Sequence, residues 1–153
     1  MALGQYLSVP AAAAGISVTT NATAWVLGEA TLSTGLTSDI YVIGLAFQVT
    51  NTPALDTTHE TLFQIRTGGV GSEVVQIQIP YSHRPDTLVG YYSDSTLKVF
   101  LPEDFLIPAN TRISVTAACS LASAITYAGI KLMYREGAAA ANARSQLMML
   151  GVS

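Results

Sequence analysis

The chain has 153 residues, half of them hydrophobic and only 11% charged, whereas an ordinary soluble domain has about 25% charged residues. This length fits one domain with enough apolar side chains to build a core. The net charge is −3 and the seven Lys and Arg residues are scattered, so the basic patch that nucleic-acid binding needs is missing. Few surface charges protect poorly against association, so we expect other subunits to cover much of the surface.

The cysteine and the hydropathy of the chain set further limits. Cys119 is the only cysteine, so no disulfide can form within the chain, which is compatible with a reducing compartment. It lies in an alternating run, so we expect a buried, inert thiol. The sequence has no apolar run of about 18 residues, and the Ala11–Ala14 run is too short for a signal-peptide core. We therefore expect no membrane association.

The N-terminal part is predicted to contain an arm and two short strands. Residues 1–13 are expected to form the arm. Strands are expected at Gly15–Thr20 and Thr23–Thr31, and we expect Trp25, in the second of these, to be buried. From Ile40 onward apolar residues alternate with a period of two, which is typical of strands with one dry and one wet face. In this first long run the bulkier set is expected to face the core: Tyr41, Ile43, Leu45, Phe47 and Val49.

Turn residues separate the strands that follow. The glycines of Gly68–Gly71 lie between Thr61–Thr67 and Glu73–Ile79, a pattern that predicts a β-hairpin. A further strand is predicted at Leu97–Leu101. The composition of four segments predicts loops: Asn51–Pro53, Pro80–Asp86, Ser93–Ser95 and Pro102–Asp104.

The C-terminal third begins with a proline–asparagine turn within Ile107–Ile113. Two alternating runs follow, Ile113–Cys119 and Gly129–Glu136, and we expect them to form an antiparallel pair. The whole pattern therefore has eight or nine short strands and no long helix. It predicts an all-β protein: an antiparallel β-sandwich over residues 14–136, with jelly-roll topology as the usual way to close eight strands.

Residues 137–153 are predicted to form a C-terminal tail beyond the sandwich. The tail begins with an alanine-rich stretch, which favours a helix, although so short a helix is marginal alone in water. Four large apolar residues follow: Leu147, Met148, Met149 and Leu150. Exposed, they would promote aggregation, so we expect them to bind a neighbouring subunit or the chain's own sandwich.

The polar residues give little sign of catalysis. His59 lies between Asp56 and Glu60 in sequence, but no second His or Cys stands at a metal-ligand spacing. Ser82, His83 and Asp86 supply the residue types of a catalytic triad, yet near neighbours in one loop rarely converge as a triad must. We therefore predict that the protein is not an enzyme and holds no metal or cofactor.

Two neighbouring tyrosines, Tyr91 and Tyr92, are a candidate binding site. Tyrosines in a sandwich loop more often pack at an interface, but they can also stack on a sugar ring. Both interpretations stay open.

Several stretches of the chain resemble a family of small structural proteins of tailed-bacteriophage virions, over roughly residues 14–136. The stretches are Ala24–Gly28, Thr37–Gly44, Gln64–Val75, Ile79–Ser82 and Ile107–Glu136. The resemblance implies a β-sandwich that decorates or cements the capsid, with trimers on the outside of the head, or a part of a head fibre or tail appendage. It supplies no catalytic residues.

These observations lead to one functional hypothesis and two alternatives. The first is a capsid decoration protein that is made in the host bacterial cytoplasm and found on the exterior of the virion. It would be a homotrimer bound to the major capsid protein. The first alternative is a carbohydrate-binding module of a head fibre or tail appendage, with Tyr91 and Tyr92 stacked on a host surface glycan. The second alternative is a hydrolase that uses His59 or His83.

Overall fold

The computed structural model describes residues 7–11, 15–21, 23–51, 58–83, 97–122 and 125–136. These residues form strands and turns and contain no helix. The strands, in chain order, are β1 Leu7–Val9, β2 Ile16–Thr19, β3 Gly28–Ser33, β4 Ile40–Asn51, β5 His59–Thr67, β6 Val74–His83, β7 Leu97–Ile107, β8 Ile113–Cys119 and β9 Thr126–Glu136.

The strands form two antiparallel sheets packed face to face. In sheet I, β1 and β2 both pair with β9, and the order continues through β4 to β7. In sheet II the order is β3, β8, β5, β6. Every connection crosses from one sheet to the other except β1–β2 and β5–β6. The predicted antiparallel β-sandwich is confirmed. The strand order is compatible with a jelly roll, which stays a prediction.

An aromatic cluster occupies the core between the two sheets. The ring centroid of Phe47 lies 4.7 Å from that of Phe63, 5.0 Å from that of Tyr81 and 5.8 Å from that of Tyr127. Phe47, Phe63 and Tyr127 are completely buried. Because β4 and β9 belong to sheet I while β5 and β6 belong to sheet II, this cluster ties the sheets together. Burial of such rings contributes strongly to the stability of a small sandwich.

Strand β4 changes face at a β-bulge. Its pairing with both β7 and β9 shifts register between Val42 and Gly44. As a result Ile40 and Val42 point into the core before the shift, and Leu45 and Phe47 do so after it. An extra residue in a strand reverses the alternation, so the prediction is correct for Leu45 and Phe47. It is wrong for Tyr41, which is half-buried, and for Ile43, which packs in a separate cluster on the outer face.

The turn predictions agree with the structure at two places. Strands β5 and β6 form the predicted hairpin, with Gly68 at φ 118° and Gly71 at φ 80° in the turn. Asn110, at φ 60°, forms the predicted turn before β8, and its backbone N–H donates to the carbonyl of Leu36 at 2.7 Å. Glycine and asparagine are the residues that tolerate this left-handed conformation best.

The pairing predicted for the C-terminal third is wrong. Strand β8 lies in sheet II between β3 and β5, whereas β9 lies in sheet I between β2 and β4. The two runs are neighbours in sequence, but the chain crosses the core between them. Residues 7–9 also differ from the predicted arm: they form β1, pair with β9 and bury Val9.

Candidate interaction surfaces

One end of the sandwich, called the loop end below, gathers most of the predicted functional segments. Here β2, β4, β6 and β8 end and β3, β5, β7 and β9 begin, as the pairs Thr19↔Thr126 and His59↔His83 demonstrate. The connection between β6 and β7, residues 84–96, leaves from this end. It contains Tyr91 and Tyr92, which lie outside the described residues.

The loop between β2 and β3, called the Trp25 loop below, presents apolar side chains at the loop end. Trp25 is 52% exposed, Val26 42% and Leu27 41%. The prediction that Trp25 lies buried in a strand is therefore wrong, because β3 begins only at Gly28. A side chain at Gly28 would collide with the backbone carbonyl of Thr19, so the chain passes tightly between the two sheets there.

Backbone hydrogen bonds hold the Trp25 loop in place. The N–H of Trp25 donates to the carbonyl of Cys119 at 2.8 Å, and that of Val26 donates to the carbonyl of Thr23 at 3.2 Å. The N–H of Thr23 donates to Oδ1 of Asn21 at 2.9 Å. Trp25 adopts φ 61°, which costs a bulky residue roughly 1–2 kcal/mol. Strain of this kind is concentrated at functional positions, so the loop is a candidate contact surface.

The outer face of sheet I carries a second apolar surface. Core residues on β9 have even numbers from Ile130 to Tyr134, so Lys131, Met133 and Arg135 point outward. The register places Phe100 and Met133 on either side of Gly44, and Lys98 and Lys131 on either side of Ala46. Phe100 is 59% exposed. We call Phe100, Met133, Lys98 and Lys131 together the Phe100 shelf.

Gly44 lets the Phe100 shelf lie flat against β4. A Cβ on this glycine would approach Cε of Met133 to 2.7 Å and would also collide with the carbonyl of Val99. The methionine therefore lies across the glycine and is only 1% exposed, beside the buried Ile43 and Ala46. Phe100 consequently projects beside a nearly level apolar surface.

The two sheets have proline-bearing edge strands on one flank. Strand β7 forms that edge of sheet I and contains Pro102, and β6 forms that edge of sheet II and contains Pro80. Proline lacks an N–H donor and interrupts further strand pairing. Association on this flank is therefore expected to use side chains and not a continuous sheet.

Arg112 joins three elements at the end opposite the loop end. Its guanidinium donates to Oε1 of Glu73 at 2.9 Å, to Oε1 of Glu29 at 3.2 Å and to Oγ1 of Thr31 at 2.9 Å. Hydrogen bonds from backbone N–H groups, its own and that of Gly71, together with Arg112, lower the pKa of Glu73. These contacts connect β3 with the β5–β6 turn, so the cluster has a structural role.

A buried hydroxyl pair crosses the core from β5 to β9. The hydroxyl groups of Thr61 and Tyr127 form a short hydrogen bond. Burial raises the pKa of the Tyr127 phenol, and the hydrogen bond with Thr61 opposes this only in part. Both residues are inaccessible to solvent, so the pair stabilises the fold and is not available to a substrate.

The structure brings together two histidines that the sequence analysis treated separately. His59 and His83 are cross-strand partners in the β5–β6 ladder, at the loop end. Their side chains are not described. Within the described ranges no cluster of three metal-ligating side chains occurs. Cys119 is buried, as predicted.

The remaining predicted contact residues belong to the C-terminal tail. Leu147, Met148, Met149 and Leu150 lie outside the described residues. The tail follows Glu136, the last residue of β9, at the end of the sandwich opposite the loop end. The described part of the chain has no helix that is long and apolar enough to span a membrane.

Comparison with known proteins identifies no relative. No protein-family model matches the chain, and none of the curated proteins matches it. The resemblance to phage virion proteins therefore stays an interpretation of the sequence.

Proposed function

We propose that this chain is a structural protein of a tailed-phage virion. In this proposal it forms a homotrimer on the exterior of the head, binds the major capsid protein and cements neighbouring capsid subunits. The sequence resemblance supplies the class of particle. The two-sheet sandwich agrees with the fold that the resemblance implies, and a jelly-roll topology belongs to the same proposal.

The observation that carries the proposal is the Trp25 loop. An exposed Trp-Val-Leu run is unfavourable in water, and here backbone hydrogen bonds hold it in one conformation. Tryptophan is enriched among the residues that dominate binding energy at protein interfaces. A rigid apolar loop on a sandwich with few charges therefore fits a protein that works by binding other subunits.

The mechanism in this proposal is mechanical. A subunit that bridges two capsid proteins adds interface area that must be broken before they separate. A standard interface buries about 1,600 Å² in total, which is enough for stable attachment when the apolar anchors fit well. No catalytic step is part of the proposal, and the hydrolase hypothesis for His59 or His83 has no further support.

The proposal is tested by binding the purified protein to empty shells assembled from the major capsid protein of the same phage. Co-sedimentation should show saturable binding, and the decorated shells should resist heat better than bare shells. A variant in which Val70 is changed to Ser is the matched control, since this 83% exposed residue lies in the β5–β6 turn away from the Trp25 loop. Absence of binding by the correctly folded protein would reject the proposal.

One observation also favours the carbohydrate-binding alternative. Trp25 is exposed at the loop end, and the segment that contains Tyr91 and Tyr92 leaves from the same end. Aromatic rings in adjacent loops can stack on a sugar. Binding to host surface glycans, without binding to shells, would favour this alternative over the capsid role.

A further inference from the structure

Two exposed aromatic residues lie on opposite flanks of the sandwich. Among the aromatic side chains that the structure describes, only Trp25 and Phe100 are more than half exposed. The Trp25 loop joins β2 and β3, the edge strands of one flank, whereas Phe100 is on β7, the edge strand of the other flank. Strands β2 and β7 are three positions apart in sheet I, a separation of roughly 14 Å. The two side chains therefore cannot cover each other within one molecule.

We propose that the Trp25 loop of one copy packs on the Phe100 shelf of the next copy, so that the chain assembles head to tail into a closed ring. The inference rests on the homotrimer of the proposed function and names the surfaces that form it. A contact between two different surfaces is heterologous and closes into a ring when the rotation between copies fits.

The chemistry of the two surfaces is complementary. The Trp25 loop contains no charged residue between Thr20 and Gly28. The Phe100 shelf combines an exposed ring and a thioether with Lys98 and Lys131, which lie one row away on the same face. An indole offers a large apolar area to the first two and a negative ring face to the ammonium groups. A second cationic surface would instead be repelled from this shelf.

The polar groups at the base of the Trp25 loop argue for a protein partner over a sugar. Oδ1 of Asn21 accepts from the N–H of Thr23, Oγ1 of Thr20 accepts from the N–H of Ile125, and Oγ of Ser120 accepts from the N–H of Glu60. Sugar binding needs hydrogen-bond partners beside the stacking ring. Here the neighbours of Trp25 are Val26 and Leu27, which enlarge an apolar contact and offer no side-chain hydrogen bond.

The proline-bearing edges support a contact through side chains. Pro102 and Pro80 interrupt the edge strands of the flank that carries the Phe100 shelf. Extension of either sheet into the next copy is therefore unfavourable, and a contact on the outer face of sheet I stays open.

Because Trp25 is the only tryptophan, its fluorescence reports directly on its own environment. We expect the emission of the wild-type protein to shift to shorter wavelength as sedimentation equilibrium shows monomers assembling. The change Trp25→Ala, or Phe100→Ser, should weaken self-association roughly 30-fold or more, as for interface residues that dominate binding. The control Val70→Ser should leave association unchanged. Thermal melts establish that each variant is folded.

Mixing the two variants separates a heterologous contact from a symmetric one. Each variant alone should be monomeric, but a mixture should form a one-to-one dimer, since one copy keeps the Trp25 loop and the other keeps the Phe100 shelf. The tryptophan of the Phe100→Ser copy should then shift to shorter wavelength. A mixture of folded variants that stays monomeric would overturn the proposal, as would a variant that still assembles like the wild type.

Other occupants of the Trp25 loop would appear as different outcomes. If the wild-type protein stayed monomeric and its emission shifted only when shells or glycans were added, the self-association proposal would be wrong. If the ring formed as described but did not bind shells, the inference would stand while the proposed capsid function failed.

Discussion

Truncation of Phe47 tests the assignment of the core most directly. This ring is completely buried and contacts the rings of Phe63, Tyr81 and Tyr127. Changing a buried Phe to Ala costs about 3–5 kcal/mol. Each aromatic contact adds about 0.5–1.5 kcal/mol beyond the buried area, so we expect Phe47→Ala at the upper end of that range. Since a domain is stable by only about 5–15 kcal/mol, the variant should be close to unfolding.

The assay is equilibrium urea denaturation followed by circular dichroism, at a concentration where the wild-type protein is monomeric. Phe100→Ala is the matched control, because it removes the same ring from a position on the outer face of the same sheet. We expect that change to alter the free energy of unfolding by no more than about 0.5 kcal/mol, as for an ordinary surface substitution. If the two changes cost the same, the inner and outer faces around the β4 bulge would be assigned wrongly.

Three further predictions concern the core, the Arg112 cluster and the tail. Because burial raises the pKa of Tyr127, folding stability should be fully present below about pH 10 and fall by up to about 1.4 kcal/mol per pH unit as pH rises toward the folded-state pKa. Tyr127→Phe should reduce that slope in urea titrations at several pH values, and an unchanged slope would contradict the assignment. Arg112→Lys cannot keep both carboxylate contacts, so it should lower stability by about 1 kcal/mol, whereas Arg135→Lys should leave the melting temperature unchanged; equal shifts would argue against the cluster. A chain truncated after Glu136 should still fold, because β9 is complete there, but should bind shells or assemble less well; a collapsed melting temperature with unchanged binding would place the tail in the chain's own core.

The strands were largely predictable because period-two alternation follows from the geometry of a strand. The hairpin between β5 and β6 was predicted for the same reason, since glycines mark its turn. The face of each side chain was less predictable. At β4 a single bulge moved Ile40 and Val42 into the core and Ile43 out of it, and no composition signal marks a bulge apart from Gly44.

Long-range pairing could not be inferred from neighbouring runs. Strands β8 and β9 follow each other closely, and a short connection usually favours a hairpin. Here the chain crosses the core instead, because the sandwich places consecutive strands in different sheets. A sequence without aligned relatives carries no information about which strands are partners.

The candidate surfaces were the least predictable part. Trp25 stands among apolar residues, and such a run normally indicates a buried strand. Its exposure depends on the late start of β3 at Gly28 and on the hydrogen bond to Cys119, both of which are tertiary features. Phe100 was recognised only as a member of an alternating strand, and its exposure likewise follows from the position of β7 at a sheet edge.

A three-dimensional reconstruction of the virion, with this chain located by comparison of wild-type and deletion particles, tests the central claim most directly. We predict sandwich-shaped density in groups of three on the outside of the head, in contact with the major capsid protein and absent from the deletion particle. Density confined to a tail or fibre, or particles that lack this chain altogether, would contradict the capsid-cementing role.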